Sequence, residues 1–279
     1  FKIIKMKKYI PLSFKIIILN FFNGNYIKQL QIFLKNFNKN DLKELKIFLK
    51  SLAPVKTEYE LVRIGSENDG GYLVPNDLND LQYCFSPGVS VNSDFEKELY
   101  DEYKIRSFLC DFSVDKPGLD CEGFVFTKKY LGSKNDEFFF TLKNWLQKSE
   151  YKGELLLQMD IEGFEYPVLI KEDIELIKNF RILVIEFHDL DRLFTRFGFN
   201  IITSVFHKLL NDYYIIHIHP NNLSYVFNKK DIRIPQVMEI TFLRKDRVKI
   251  NSKYEVFPHY LDAKNNNEIK DVILPECFY

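Results

Sequence analysis

Cysteine, methionine, tryptophan and long apolar runs are all scarce in this chain of 279 residues, which has 4 Cys, 3 Met and a single tryptophan, Trp145. Cys84, Cys110, Cys121 and Cys277 show no CxxC spacing and no histidine at finger-like spacing, so a zinc-finger framework is excluded. Cys84 and Cys110 fall inside apolar runs, where cysteine serves as a small core residue. Reduced thiols and a cytoplasmic location are therefore expected. No apolar run reaches the ~18 residues of a spanning helix. Ile16 to Phe22 comes nearest, and Asn20 interrupts it. Net charge is lacking as well, with 39 basic residues against 39 acidic ones. The balance conceals a skew, because residues 1–50 carry eleven Lys against Asp41 and Glu44 alone. That arm reads first as the solvated face of helices and second as a peripheral contact with an anionic membrane surface. Nothing after residue 50 resembles a nucleic-acid module, so no nucleic-acid partner is expected.

What is present is an ordinary globular composition, 46% hydrophobic and 28% charged. The 27 Phe and 16 Tyr read as the coding bias of an AT-rich genome and not as a stacking surface. Residues 25–37 set Ile27, Leu30, Phe33, Leu34 and Phe37 on one helical face. Residues 41–52 do the same with Leu42, Leu45, Phe48, Leu49 and Leu52, after Asn40 as N-cap. Residues 1–55 are thus expected to form a helical cap, and residues 56–279 one large domain.

In that domain apolar runs alternate with helical stretches, the pattern of a Rossmann-like, doubly wound α/β sheet with mostly parallel strands. Seven core strands are expected: Leu81–Val89, Ile105–Phe112, Gly123–Thr127, Leu155–Met159, Arg181–Phe187, Tyr213–Ile218 and Met238–Leu243. Helices are expected at 93–103, where Ser93 and Glu96 form a capping box, and at Thr141–Lys148. Residues 220–236 read as polar and turn-rich. The tail 251–279 reads as irregular, with Pro258 and Pro275 as breakers.

Candidate chemistry gathers at predicted strand ends, where open α/β sheets bind their ligands. Leu155, Leu156 and Leu157 read as a buried strand, followed at once by Asp160, Glu162 and Gly163. Two carboxylates so close are costly to bury without a proton, a cation or donors. Ser86, Pro87, Gly88, Val89 and Ser90 follow the first strand and lead into a helix. There glycine admits a close ligand, and a helix N-terminus offers free N–H groups. Asp111 ends the second strand, placed to accept the ribose hydroxyls of an adenosine-type cofactor, whether dinucleotide or otherwise. The loop lacks the three-glycine fingerprint, which disfavours an NAD oxidoreductase. His188 and His219, at the ends of the fifth and sixth strands, are alternative general bases. Strand alternation puts His217 on the same face as His219. Asn221 and Asn222 would orient an acceptor. Asp160, Glu186, His188, His219 and Glu239 offer mixed oxygen and nitrogen ligands for Mg²⁺ or Mn²⁺, with Asp160, His188 and His219 as the leading set. Asp189-Leu190-Asp191 matches the D-x-D triplet of sugar-nucleotide glycosyltransferases, although it follows a late strand.

Asp160-Ile161-Glu162-Gly163-Phe164-Glu165-Tyr166 resembles the signature of the FkbM-type S-adenosylmethionine-dependent methyltransferases. Supporting blocks, in the family's order, are Asp69-Gly70-Gly71-Tyr72, Ser86 to Ser90 with Phe95-Glu96, Val184 to His188, His217 to Asn222, and Glu239 to Phe242. The resemblance spans about Leu61 to Phe242, and weakly reaches Leu261-Asp262. It implies a class I methyltransferase fold and S-adenosylmethionine as cofactor. By that resemblance Asp69, Gly71, Tyr72, Ser86, Pro87, Gly88, Val89, Glu96, Asp111, Phe112, Ser113, Asn135 and Asp160 surround the cofactor, with Asn135 or Asp136 near adenine. Asp160 and one of His188 and His219 would act in catalysis, while Glu162, Glu186, Asn221, Asn222 and Glu239 would bind the acceptor. A carbohydrate or sugar-nucleotide hydroxyl for capsule or surface-polysaccharide biosynthesis is the implied acceptor. A phosphoramidate-type precursor and a natural-product hydroxyl also fit, and a homo-oligomer is compatible with all of these.

Overall fold

The computed structural model describes residues 39–149, 151–249, 252–253 and 257–279. The helix expected at 25–37 and most of the basic arm lie outside the described residues. Helix α1 spans Lys39–Ser51, so Asn40 lies within the helix and does not cap it. Its stripe of Leu42, Leu45, Phe48, Leu49 and Leu52 is buried in one continuous core with the helices and strands that follow.

Seven strands form the central sheet: β1 (Leu81–Pro87), β2 (Arg106–Cys110), β3 (Phe124–Thr127), β4 (Glu154–Met159), β5 (Phe180–Phe187), β6 (Tyr213–Pro220) and β7 (Met238–Arg244). They lie in the order β3-β2-β1-β4-β5-β7-β6. Neighbours from β3 through β5 are parallel, and β7 runs antiparallel to both β5 and β6. All seven expected strands are present, with ends moved by up to two residues. β5 shows why they were readable: all eight of its residues are buried, as a strand covered on both faces requires.

Alternation along the strands sorts their side chains onto two faces. On one face Phe85, Leu157, Leu183, Ile185 and Phe242 meet α1, α3 (Leu142–Lys148), α4 (Glu165–Lys171), α5 (Ile174–Ile177) and α6 (Arg196–Asp212). On the other, Cys84, Leu156, Ile182, Val184 and Leu243 meet α2 (Asp94–Tyr103) and a hairpin of Leu61–Gly65 with Gly71–Pro75. This is the expected doubly wound, mostly parallel α/β fold. None of the described helices is long and apolar enough to cross a membrane.

Three local expectations change. The capping box on α2 does not form: the Ser93 side chain makes no cap bond and its Oγ accepts from Leu119 N at 3.0 Å. Glu96 turns inward to Ser86 on β1, because the helix lies directly over a buried hydroxyl that needs a partner. The polar segment after β6 contains a hairpin, Val226–Lys229 with Ile232–Pro235. The link between β5 and β6, given no element from sequence, is the 17-residue α6.

Candidate functional site

From β1 the chain winds outward to β2 and β3, then returns to β4, so the strand order reverses between β1 and β4. At that point β1 and β4 leave the sheet almost touching. Asp160 N donates to Pro87 O at 3.3 Å, and a Cβ on Gly88 would lie 1.6 Å from Asp160 O. Only glycine fits there, at φ +88°. Left-handed backbone also marks the exits of β1 (Ser90), β4 (Glu162, Gly163) and β5 (Asp189), conformations that cluster where a fold builds ligand sites.

Register turns this edge into a row of ionisable groups. Glu186 on β5 lies opposite Glu239 on β7, which lies opposite His219 on β6. Gln158 lies opposite Val184, so Asp160, two residues on, falls level with Glu186. Like charges directly opposed are destabilising, and neighbouring groups relieve them. Asn221 Nδ2 donates to Glu186 Oε1 at 2.9 Å, and Asn265 Nδ2 to Glu239 Oε1 at 2.6 Å and Asp69 Oδ1 at 3.1 Å. Burial, reinforced by the charges of Asp160 and Glu239, pushes the Glu186 carboxyl well above its ordinary range.

His188 stands over this row. Its Nδ1 is 3.2 Å from Glu165 Oε1, which also accepts from Ile161 N and Gly163 N. Its Nε2 lies 3.7 Å from Asp160 Oδ1, 3.7 Å from Glu162 Oε2 and 4.0 Å from Glu186 Oε1. Burial pulls the imidazole pKa down, but the bond to Glu165 and the charges of Glu165, Asp160 and Glu186 outweigh it and raise the value to about 10. Burial raises Asp160 to about 7, against the opposing pull of His188. His219 behaves like His188: burial lowers it, while Asp271 and Glu239 bring it to about 10. Both histidines are therefore cationic at neutral pH, and Asp160 is the group poised there.

One row deeper runs a buried hydrogen-bond chain. Ser86 Oγ contacts Glu96 Oε1 and lies 2.7 Å from Gln158 Oε1, while Gln158 Nε2 donates to the Tyr72 hydroxyl at 3.2 Å. A hydroxyl has one hydrogen, so the consistent pattern is Glu96 in its acid form donating to Ser86, and Ser86 to Gln158. Burial raises Glu96 to about 7, in keeping with that proton.

The loop after β1 is tied to β2. Gly88 N donates to Cys110 O at 2.9 Å and Ser90 N to Asp111 Oδ2 at 3.0 Å, while Ser113 gives its N–H and hydroxyl to Asp111 Oδ1, each at 2.7 Å. Val89 is buried, and Phe112 packs edge-on against Phe138. Asn135 is exposed on a cavity of about 490 Å³ beside β2 and β3, lined also by Phe108, Thr127, Phe139 and Trp145 and apart from the acidic row.

The sequence reading missed two contributors. Glu165 has no exposed surface; its clue was a third carboxylate in the motif already singled out. The second is the tail, which lies over the hairpin face as a strap. His217 Nε2 and Asp262 Oδ1 are 2.8 Å apart, and His219 Nε2 is 3.8 Å from Asp271 Oδ1. Asn265 bridges Asp69 and Glu239. Asn222, expected at the acceptor, pins this strap instead, donating to Asn266 O at 2.8 Å and accepting from Asn266 N at 2.9 Å. No periodicity marks such a segment, so only its Asp and Asn content hinted at a role.

The structure thus gathers Asp69, Tyr72, Gly88, Asp160, Glu162, Glu186, His188, Asn221 and Glu239 about one edge. It places Asp111, Phe112 and Ser113 beside that edge under the β1 loop. His219 stands with Glu239 and Asp271, so the leading metal set of Asp160, His188 and His219 does not converge. Among the described residues the ligand-sized groups are Asp160, Glu165 and His188, and Asp69, Glu186 and Glu239. Of the D-x-D aspartates, Asp189 is paired with Arg192 at 3.0 Å, while Asp191 Oδ1 is buried without a hydrogen-bond partner.

A family match over part of the chain supports a methyltransferase, for which S-adenosylmethionine is the implied methyl donor. Residues 141–214 match the family model described as the methyltransferase FkbM domain, and the resemblance read from the sequence is borne out. No curated protein matches the chain. Among solved structures, precorrin-6y C5,15-methyltransferase from Geobacter metallireducens GS-15 is similar at 10% identity, over 75% of this chain and 92% of that one. Its TM-score of 0.36 is too low for that likeness to bear on function.

Proposed function

We propose that the protein transfers a methyl group to a hydroxyl oxygen of a carbohydrate, a sugar or sugar nucleotide used in the cytoplasm to build capsule or other surface polysaccharide. The observation that carries this reading is the row of Asp160, Glu186 and Glu239, with Asp69 and Asn221, beside the β1–β4 crevice. A polyhydroxylated acceptor brings many O–H donors, and fixed carboxylate and amide oxygens are what receive them. The same negative field favours a cationic donor. S-adenosylmethionine, when bound, supplies an electrophilic methyl on a sulfonium.

The residues fit that cofactor. Gly88 lets the exit of β1 pass against the backbone of Asp160, and Asp160 Oδ1 is buried without a hydrogen-bond partner at the crevice. The two oxygens of Asp111 offer about four acceptor sites, of which Ser90 and Ser113 use three. Asp111 would take the ribose, and Asp160 would face the methionine end. Asp160, held near neutrality, takes the acceptor proton, while His188 and His219, as cations, orient oxygen atoms. Alignment of acceptor oxygen with the methyl carbon, and exclusion of water, supply the rate.

Calorimetric titration of S-adenosylhomocysteine tests the donor site. Micromolar binding to wild type is expected, weakened at least about tenfold in Asp111→Ala, the loss of one charge-assisted bond pair. A wild type that binds none of it sinks the reading. Labelled S-adenosylmethionine with a panel of sugar nucleotides, free sugars, a phosphoramidate and a natural-product alcohol then assigns the acceptor.

A further inference from the structure

Carboxylate oxygens of Asp160, Glu162 and Glu186 lie 3.7, 3.7 and 4.0 Å from a single ring nitrogen, His188 Nε2. Those separations are too long for hydrogen bonds. They suit atoms that share one ion, because metal–ligand bonds of about 2.0–2.2 Å set ligand atoms roughly 3–4.3 Å apart. The other nitrogen, Nδ1, meets Glu165 Oε1 at 3.2 Å. A carboxylate on the far nitrogen is the usual partner of a metal-bound histidine, since it holds the proton on Nδ1 and frees the Nε2 lone pair. Two buried oxygens in this cluster have no hydrogen-bond partner. Asp160 Oδ1 is the very atom facing Nε2, and Glu165 Oε2 belongs to a side chain with no exposed surface. Unsatisfied buried carboxylate oxygens are costly, and a cation on Nε2 would satisfy Asp160 Oδ1.

We propose that His188 Nε2 and Asp160 bind one divalent cation, with Glu162 closing over it from the β4 turn and Glu165 orienting the histidine. One imidazole among carboxylates favours Mn²⁺ or Zn²⁺ over Ca²⁺. The ion and the His188 proton compete for the same place, so binding releases a proton, and the bound ion then replaces the His188 cation in orienting the acceptor oxygen. Only the ion's use, holding the acceptor oxygen, rests on the methyl-transfer reading above; its binding does not.

The test is titration of Mn²⁺ alone into the full chain, read by the paramagnetic signal of free Mn²⁺, with S-adenosylhomocysteine calorimetry on the same preparations. One Mn²⁺ per chain is expected, with electron spin echo modulation from a directly bound nitrogen. Glu165→Gln should weaken Mn²⁺ binding about 10–100-fold, the usual effect of losing such a partner, and His188→Gln more. Glu239→Gln, which breaks the neighbouring carboxylate trio, should change it less than about 3-fold on the same scale. Absence of Mn²⁺ binding, or binding with no nitrogen coupling in wild type, overturns the proposal; wild-type spectra need no variant to fold. S-adenosylhomocysteine binding without Mn²⁺ binding overturns the ion site and leaves methyl transfer standing. Nitrogen-coupled Mn²⁺ binding without S-adenosylhomocysteine binding does the reverse.

Discussion

Glu96 shows how a single side chain couples the interior to pH. It is 3% exposed, and burial lifts its carboxyl from 4.5 to about 7. Below pH 4.5 it is protonated folded and unfolded, and it makes no pH-dependent contribution. Between pH 4.5 and 7 the folded chain binds the extra proton, so stability falls as pH rises. Above pH 7 the accumulated loss is about 3 kcal/mol, from ~2.5 pKa units at 1.36 kcal/mol each. Glu96→Gln keeps a donor for Ser86 and never ionises. Urea unfolding should therefore find the variant within about 1 kcal/mol of wild type at pH 4.5 and roughly 2–3 kcal/mol more stable at pH 8. Equal stability differences at both pH values would show that Glu96 is not proton-coupled. The residue was legible as special in the sequence, but for the wrong reason. Its spacing from Ser93 suits a capping box, and nothing local reveals the Ser86 hydroxyl waiting beneath the helix.

The strap is the element on which the roof of the site depends. Burial pushes the Asp262 carboxyl up, but its bond to His217 and the histidine charges hold it below the ordinary range. The nearby His219, 3.8 Å away, lowers Asp271 in the same direction. Their contribution is present above about pH 3.8 and is lost on acidification. His219, raised to about 10, contributes fully below pH 6.5 and loses that contribution as pH climbs through 10. Hydrogen exchange of residues 259–271, corrected for intrinsic rates, should thus be slowest between roughly pH 4 and 6.5 and faster on either side. A profile flat from pH 4 to 10 would mean that the His–Asp pairs do not hold the strap. Sequence reading could not find this latch, because Asn265 meets Asp69 across 196 positions and irregular chain carries no period to betray its destination.

At the scale of the whole molecule, the sheet was legible because β1, β4 and β5 are buried over most of their length and so read as mainly apolar runs. Their carboxyl ends could be located for the same reason, and Asp160, Glu186 and His188 with them. Placement of α1 was less legible: an amphipathic stripe shows that a helix buries one face and leaves open against what. In the structure Phe48 is edge-on to Phe199 and Phe206 of α6 at 5.9 and 5.7 Å, while Phe206 in turn meets Phe187 of β5 at 4.7 Å. Leu45 is fully buried in that same cluster. A cavity there should be felt by the entire sheet, since large-to-small changes in a shared core cost about 2–5 kcal/mol. Leu45→Ala should therefore lower the single thermal transition by roughly 4–20 °C, at about 2–4 °C per kcal/mol for a chain of this size. Added S-adenosylhomocysteine should raise the midpoint of wild type and variant by similar amounts, because the proposed donor site is the β1–β4 crevice while α1 packs against α6. If α1 were instead a cap folding by itself, calorimetry would show a separate small transition move while the main one stayed in place.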